Sequence, residues 1–224
     1  MKQRICIIGD GLTGLTTALI LGKLDVSIDL VAPNLNTKLK DNRTTAISSS
    51  NYDFLIKFLN TKHSKLFWPC SQIDLFHELS NKYRHFMNFE NNGKNLMYII
   101  ENFRLKKLLI QKIKDNKKIK IFRKEVKKID TINSSVVYQK KSFFYDTIVV
   151  CVGKKSKIVE NLINRRSIDK NLDEIAFTTI VKHDSQISNA RQYFLKEGPL
   201  AILPINKKKF SLVWSVNNKH NLQY

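Results

Sequence analysis

The sequence predicts an α/β fold: a Rossmann-like parallel sheet opened by a βαβ unit, with a mainly antiparallel sheet added to it. Three observations predict it. An apolar run at 4–8 (RICII) stops at Gly9, and a second at 26–31 (VSIDLV) ends at Ala32-Pro33. Glycines recur at Gly9, Gly11 and Gly14 between the two runs. From about residue 175 the texture changes to four strand-length runs, AFTTIVKH, QYFLK, PLAILPI and FSLVWSV, separated by polar turns without helical periodicity.

Each element follows from its pattern. Continuous apolar runs that end on glycine or proline fit strands buried on both faces, as in a parallel sheet. Between them, Leu12, Leu15 and Leu19 recur at helical spacing and Gly22-Lys23 closes the helix, giving a βαβ unit about thirty residues long. A second helix is expected over 51–60. A longer one covers 103–116, where Leu105, Leu108, Leu109 and Ile113 share one face. Strands are expected at 119–122, 126–129 and 135–138, and YDTIVVCVG at 145–153 reads as another buried strand ending on glycine. The nucleotide-binding domain is expected to comprise 1–69 and 99–170, and the added sheet 70–98 and 171–224.

Composition narrows the classes. A chain of 224 residues with 42% hydrophobic and 10% aromatic residues can bury a core, which excludes wholesale disorder. The formal charge is +20. Such an excess can mark a nucleic-acid or anionic-lipid surface. The abundance of Lys, Asn and Ile also follows from A/T-rich codons, and that reading is favoured. In 117–128 (KKIKIFRKEVKK) the lysines alternate with apolar residues, as in a strand with one solvated face. Cys6, Cys70 and Cys151 are too scattered for a disulfide framework or a zinc site, which places the chain in a reducing, cytoplasmic compartment. No run approaches the ~18 apolar residues that a spanning helix needs. His63, His77 and His85 lack metal-ligand spacing, so no metal is expected, and His183 is read as a structural strand histidine.

The glycines carry the first functional signal. In G-D-G-L-T-G the first glycine permits a tight turn, the second lets the backbone approach a pyrophosphate, and the third lets helix and strand pack closely. The helix N-terminus then offers free N–H groups to the anion. The acidic residue that would bind the adenosine ribose is missing at the end of the second strand, where Ala32 stands. Asp29 lies three residues upstream, about 10 Å away at ~3.3 Å per residue and on the opposite face.

Beyond the glycines, DNRTTAIS at 41–48, YIIENFRLKKLL at 98–109, YDTIVVCVGKKSKI at 145–158 and ARQYFLKEGPLAILPI followed by FSLVWSV at 190–216 occur in that order. Together they resemble the FAD-dependent aromatic hydroxylases of ubiquinone biosynthesis, which have the p-hydroxybenzoate hydroxylase fold. The resemblance implies FAD as cofactor, NAD(P)H as co-substrate, and O2-dependent hydroxylation of an electron-rich phenol such as a polyprenyl-phenol ubiquinone precursor. It implies that Gly9, Gly11, Leu12, Thr13 and Gly14 hold the pyrophosphate. Arg43 and Thr44 would stand beside the phosphates or flavin, where a guanidinium forks onto oxygen pairs. Asn102 would contact the flavin, although a helix N-cap explains it equally well. Gly153 would mark the second nucleotide motif, where Ser156 retains a polar position. No catalytic acid or base is implied, since the cofactor carries the chemistry.

Three departures stand out. Val152 replaces an aspartate before Gly153, Ala32 replaces the ribose ligand, and the family's later glycine-aspartate motif does not occur within these residues. The chain therefore reads as an N-terminal portion of such an enzyme. Association with the inner membrane, peripherally, or with a ubiquinone-biosynthesis complex is a further implication. Two other readings stay open: a basic binding module for nucleic acid or anionic lipid, and an NAD(P)-linked Rossmann oxidoreductase.

Overall fold

A computed structural model describes residues 2–35, 41–59, 65–80, 82–153, 156–162, 173–185 and 187–217. His63 and the expected domain junction at 170–171 lie outside them. The chain divides into two units, Met1–Leu39 with Leu105–Ile168 and Lys40–Arg104 with Asp169–Tyr224.

In the first unit a four-stranded parallel sheet has the order β12-β1-β2-β8. Its strands are β1 (Gln3–Ile8), β2 (Val26–Val31), β8 (Ile119–Phe122) and β12 (Thr147–Val150). The central position of β1 and β2 explains their mainly apolar character: Cys6, Ile7, Ile28, Leu30 and Val31 are fully buried. At the edge, β8 leaves Lys120 exposed, so this part of the lysine-rich run is a strand with a solvated side. Helix α1 (Leu12–Leu21) buries Leu15, Ala18 and Leu19 and packs on β1 and β2. Helix α3 (Asn102–Lys114) buries Leu105, Leu108, Leu109 and Ile113. These are the stripe positions expected from sequence.

A three-stranded meander, β9 (Lys128–Asp130), β10 (Ser135–Tyr138) and β11 (Lys141–Phe144), supplies Val136 and Tyr138 to a core with Cys6, Ile8, Val31 and Tyr145. Two spans differ from the sequence reading. The strand expected at 126–129 starts at Lys128, because Val126 packs into that core from an irregular segment. The strand expected over 145–153 spans only Thr147–Val150. Tyr145 instead turns inward, donating from its hydroxyl to Asp29 Oδ2 at 2.9 Å. Arg4 Nη2 donates to the same oxygen at 2.6 Å, and the Tyr138 and Tyr145 hydroxyls lie 2.7 Å apart. Asp29, 1% exposed, is thus the acceptor at the centre of a buried network joining β1, β2 and the meander. Burial pushes the Cys6 thiol beside this network up to about 12.

The second unit contains a six-stranded sheet in the order β13-β16-β15-β14-β5-β6. Its members are β5 (Gln72–Leu79), β6 (Lys82–Glu90), β13 (Glu174–Lys182), β14 (Ala190–Leu195), β15 (Gly198–Asn206) and β16 (Lys209–Asn217). The four strands after 173 pair antiparallel, as the sequence predicts, while β14 pairs parallel with β5. A smaller sheet runs β3 (Thr44–Ser48), β7 (Met97–Glu101), β4 (Trp68–Cys70). Helix α2 (Ser49–Leu59) belongs here too, with Tyr52 stacked on Tyr98 at 3.6 Å between ring centroids. Cys70, Ile99 and Ala190 form a core with Ile73 and Leu203, which ties the two sheets of this unit together. Residues 41–59, 65–69 and 99–104, grouped by the sequence reading with the nucleotide-binding domain, therefore fall in the same unit as the six-stranded sheet.

Candidate nucleotide-binding site

The site grows out of the turn between β1 and α1. Gly9 donates its N–H to Val31 O at 3.0 Å, and Cys151 donates to Ile8 O at 2.8 Å, which draws the ends of β1, β2 and β12 together. Gly9 adopts φ +135°, and a Cβ there would lie 2.2 Å from Cys151 O. A Cβ on Gly14, in the first turn of α1, would lie 2.4 Å from Gly9 O. Both glycines are required by the chain itself. Gly11 is different: it caps α1 in extended conformation, and an added Cβ would meet nothing within 4 Å. Nothing among the described residues demands glycine at this position. A ligand approaching the backbone there would.

Around this turn lies an open groove of about 690 Å³, lined among others by Gly9, Gly11, Asn34, Glu125, Lys127 and Gly153. The first turn of α1 carries Leu12, Thr13 and Gly14 and no acidic side chain. Its backbone N–H groups have no acceptor within the helix, so the end of α1 carries positive potential. These features fit a pyrophosphate: space at Gly11, and N–H donors at a first helical turn that carries no acidic side chain of its own. Asp10, between the first two glycines, accepts the Asn34 N–H at 2.7 Å and so pins the loop after β2 to the glycine turn. Ala32 is fully buried, and no carboxylate stands at the end of β2.

Of the residues that sequence singles out, Gly9, Gly11 and Gly153 line the groove, and Leu12, Thr13 and Gly14 form the helix turn beside it. Arg43, Thr44 and Asn102 belong to the second unit and form a cluster of their own. Arg43 forks onto Asp41, with Nε to Oδ1 at 2.8 Å and Nη2 to Oδ2 at 2.9 Å. That hydrogen bonding from Arg43 holds the Asp41 carboxyl below its usual range. Asn102 donates its N–H to Arg43 O at 3.0 Å, and its side-chain oxygen accepts from Thr45 Oγ1 at 2.6 Å. The Thr44 hydroxyl is buried without a hydrogen-bond partner among the described residues.

Sequence reasoning did not single out Asp10, Asn34, Glu125 or Lys127 for this site. Asp10 was legible as the interrupting acid of G-D-G. Glu125 and Lys127 were hidden in a run that reads as a solvated strand face.

The chain is similar in fold to solved structures of FAD-dependent monooxygenases. A structure described as a probable FAD-dependent monooxygenase from Pseudomonas aeruginosa, PqsL, matches 98% of this chain and 62% of its own with TM-score 0.79 and 14% identity. PqsL in complex with 2-aminobenzoylacetate matches with TM-score 0.82 at 13% identity. CtdE in complex with FAD and a substrate matches 99% of this chain and 58% of its own, with TM-score 0.79 and 11% identity. Among curated proteins, the mitochondrial ubiquinone biosynthesis monooxygenase COQ6 of Dictyostelium discoideum is 22% identical over 262 residues, covering 96% of this chain and 53% of the relative. No protein-family model matches. The resemblance to FAD-dependent hydroxylases seen in the motifs is thus shared by a curated relative and by the fold. The chain spans about half the length of that relative.

Proposed function

We propose that these residues form the adenine-dinucleotide groove and the substrate sheet of an FAD-dependent monooxygenase that hydroxylates a phenolic ubiquinone precursor, with NAD(P)H as electron donor and O2 as oxidant. The observation that carries the reading is Gly11, a glycine without steric need in the protein, placed where α1 presents its N–H groups to a groove. The match to a ubiquinone-biosynthesis monooxygenase along 96% of the chain supports the substrate class.

In this reading the bound flavin supplies the redox chemistry. The residues of the chain bind and orient it. Gly9, Gly11 and the first turn of α1 hold the pyrophosphate, and Gly153 borders the same groove. Arg43, pre-ordered by Asp41, offers its remaining N–H donors to a phosphate or flavin oxygen. The chain spans about half the length of the curated relative, and in this reading further flavin contacts would come from outside the matched residues.

Flavin fluorescence titration tests this. Residues 1–224 alone should bind FAD weakly and oxidise no NAD(P)H in response to a phenol. Supplying the C-terminal portion of a relative should tighten FAD by about two to three powers of ten, the equivalent of ~3–4 kcal/mol of restored contact. Arg43→Ala should then weaken retention by roughly tenfold, as loss of one charge-assisted contact predicts. Tight stoichiometric FAD with hydroxylation by 1–224 alone would overturn the partial-enzyme reading, and absence of any FAD affinity in either form would overturn the flavin reading.

A further inference from the structure

Dinucleotide grooves of this shape normally meet the adenosine ribose with a carboxylate at the end of the second strand, because an ionised carboxylate accepts from both ribose hydroxyls. That position is Ala32 here, and it is fully buried. The nearest acid on the strand, Asp29, is buried and already accepts from Arg4 and Tyr145. Two carboxylates remain among the residues that line the groove, Asp10 and Glu125. Asp10 is engaged with the Asn34 N–H and sits between the glycines, on the phosphate side of the groove.

Glu125 is instead engaged by an exposed ammonium, that of Lys127. It lies in the irregular segment between β8 and β9, where Val126 packs inward against the Tyr138 core and Lys127 donates its N–H to Val137 O at 2.8 Å. The backbone is therefore anchored at Val126 and Lys127, while the Glu125 side chain stays 74% exposed. Lys127 Nζ stands 3.4 Å from Glu125 Oε2.

We infer that Glu125 is the ribose-reading carboxylate of this groove, supplied from the β8–β9 segment in place of the missing acid on β2. The inference rests on the reading of the groove as an adenine-dinucleotide site. It assigns Glu125 to ligand discrimination: a ribose with free hydroxyls is bound, and one without them is not favoured by this contact.

The test is a double comparison on the 224-residue chain, titrated with ADP and with 2′,3′-dideoxy-ADP and read from backbone amide shifts. Glu125→Ala should weaken ADP by about tenfold, the loss expected for a charge-assisted hydrogen bond. The same substitution should leave dideoxy-ADP unchanged, and wild type should prefer ADP by a similar factor. Equal effects on both nucleotides, or none on either, would overturn the role of Glu125 while leaving the groove assignment standing. A wild-type chain that binds neither nucleotide would overturn both. Because Glu125 is exposed and its carboxylate bonds only at the surface, unchanged thermal stability of the variant distinguishes loss of contact from loss of fold.

Discussion

Gly9→Ala is expected to lower stability by about 3 kcal/mol, from a positive φ denied to alanine and a methyl group driven against backbone. The conflict is with Cys151 O, only 2.2 Å from the new Cβ, and a backbone carbonyl held by a β12 that pairs with β1 cannot move aside cheaply. For a chain of this size the melting temperature should fall by about 10 °C. Gly11→Ala is expected to do the opposite. The new methyl group meets nothing within 4 Å, so stability should change by no more than about 1 kcal/mol, the scale of a helix N-cap substitution. Nucleotide affinity should nevertheless fall by about tenfold or more, because the methyl group occupies the space through which a pyrophosphate approaches the backbone. Differential scanning calorimetry alongside ADP titration separates the two effects. A Gly9→Ala chain as stable as wild type would mean that the turn is wrongly built, and a Gly11→Ala chain with full affinity would remove the ligand from the explanation.

The second large effect concerns Asp29. Its carboxylate, 2% exposed, accepts from Arg4 and Tyr145, and removing it leaves a buried hydroxyl and a guanidinium without their acceptor. Asp29→Ala is expected to cost roughly 3 kcal/mol, the scale for stranding one partner of a buried pair, with Arg4 keeping partial access to water. The network also sets an alkaline limit. Burial, reinforced by the hydrogen bond to Tyr138 and by Asp29, holds the Tyr145 hydroxyl above the ordinary tyrosine range, and burial raises Tyr138 as well. An unfolded tyrosine ionises near pH 10 while these two remain protonated in the fold. The unfolded state then binds fewer protons, so this contribution is intact below about pH 10 and declines as pH rises above it. Urea unfolding on either side of that pH should show the decline, and Tyr145→Phe should reduce it. A stability that is level through the alkaline range, or Asp29→Ala at wild-type stability, would contradict the network.

Much of this was legible in the chain, for reasons that differ by element. The opening strand–turn–helix–strand could be read because its burial is two-sided and its glycine spacing is dictated by backbone contacts. The antiparallel sheet was legible because β13 to β16 are strand-length runs divided by short polar turns. The hairpin of β10 and β11 was not. Its turn residues, Gln139 and Lys140, both hold positive φ, where Asn-Gly would ordinarily announce the turn. The sheet that holds Thr44–Ser48 was hidden because its partner strand, Met97–Glu101, is about fifty residues away. The Asp29 network could not be read at all, since it joins Arg4, Asp29, Tyr138 and Tyr145 across three separate segments and places an acid inside an apolar strand. At the site, the glycines announced a nucleotide. Glu125 did not, because its role depends on Val126 turning inward, and periodicity assigned that stretch to a strand.

The central claim is that the groove beside α1 receives the adenine-dinucleotide half of FAD. The measurement that tests it most directly is a backbone amide footprint of the chain titrated in parallel with FAD, ADP and riboflavin. FAD and ADP should both shift the amides of Gly9, Gly11, Leu12, Thr13 and Gly14, and riboflavin, which lacks the pyrophosphate and adenosine, should leave them in place. A footprint in which riboflavin shifts these amides as FAD does, or in which FAD binds while they stay unmoved, would contradict the account.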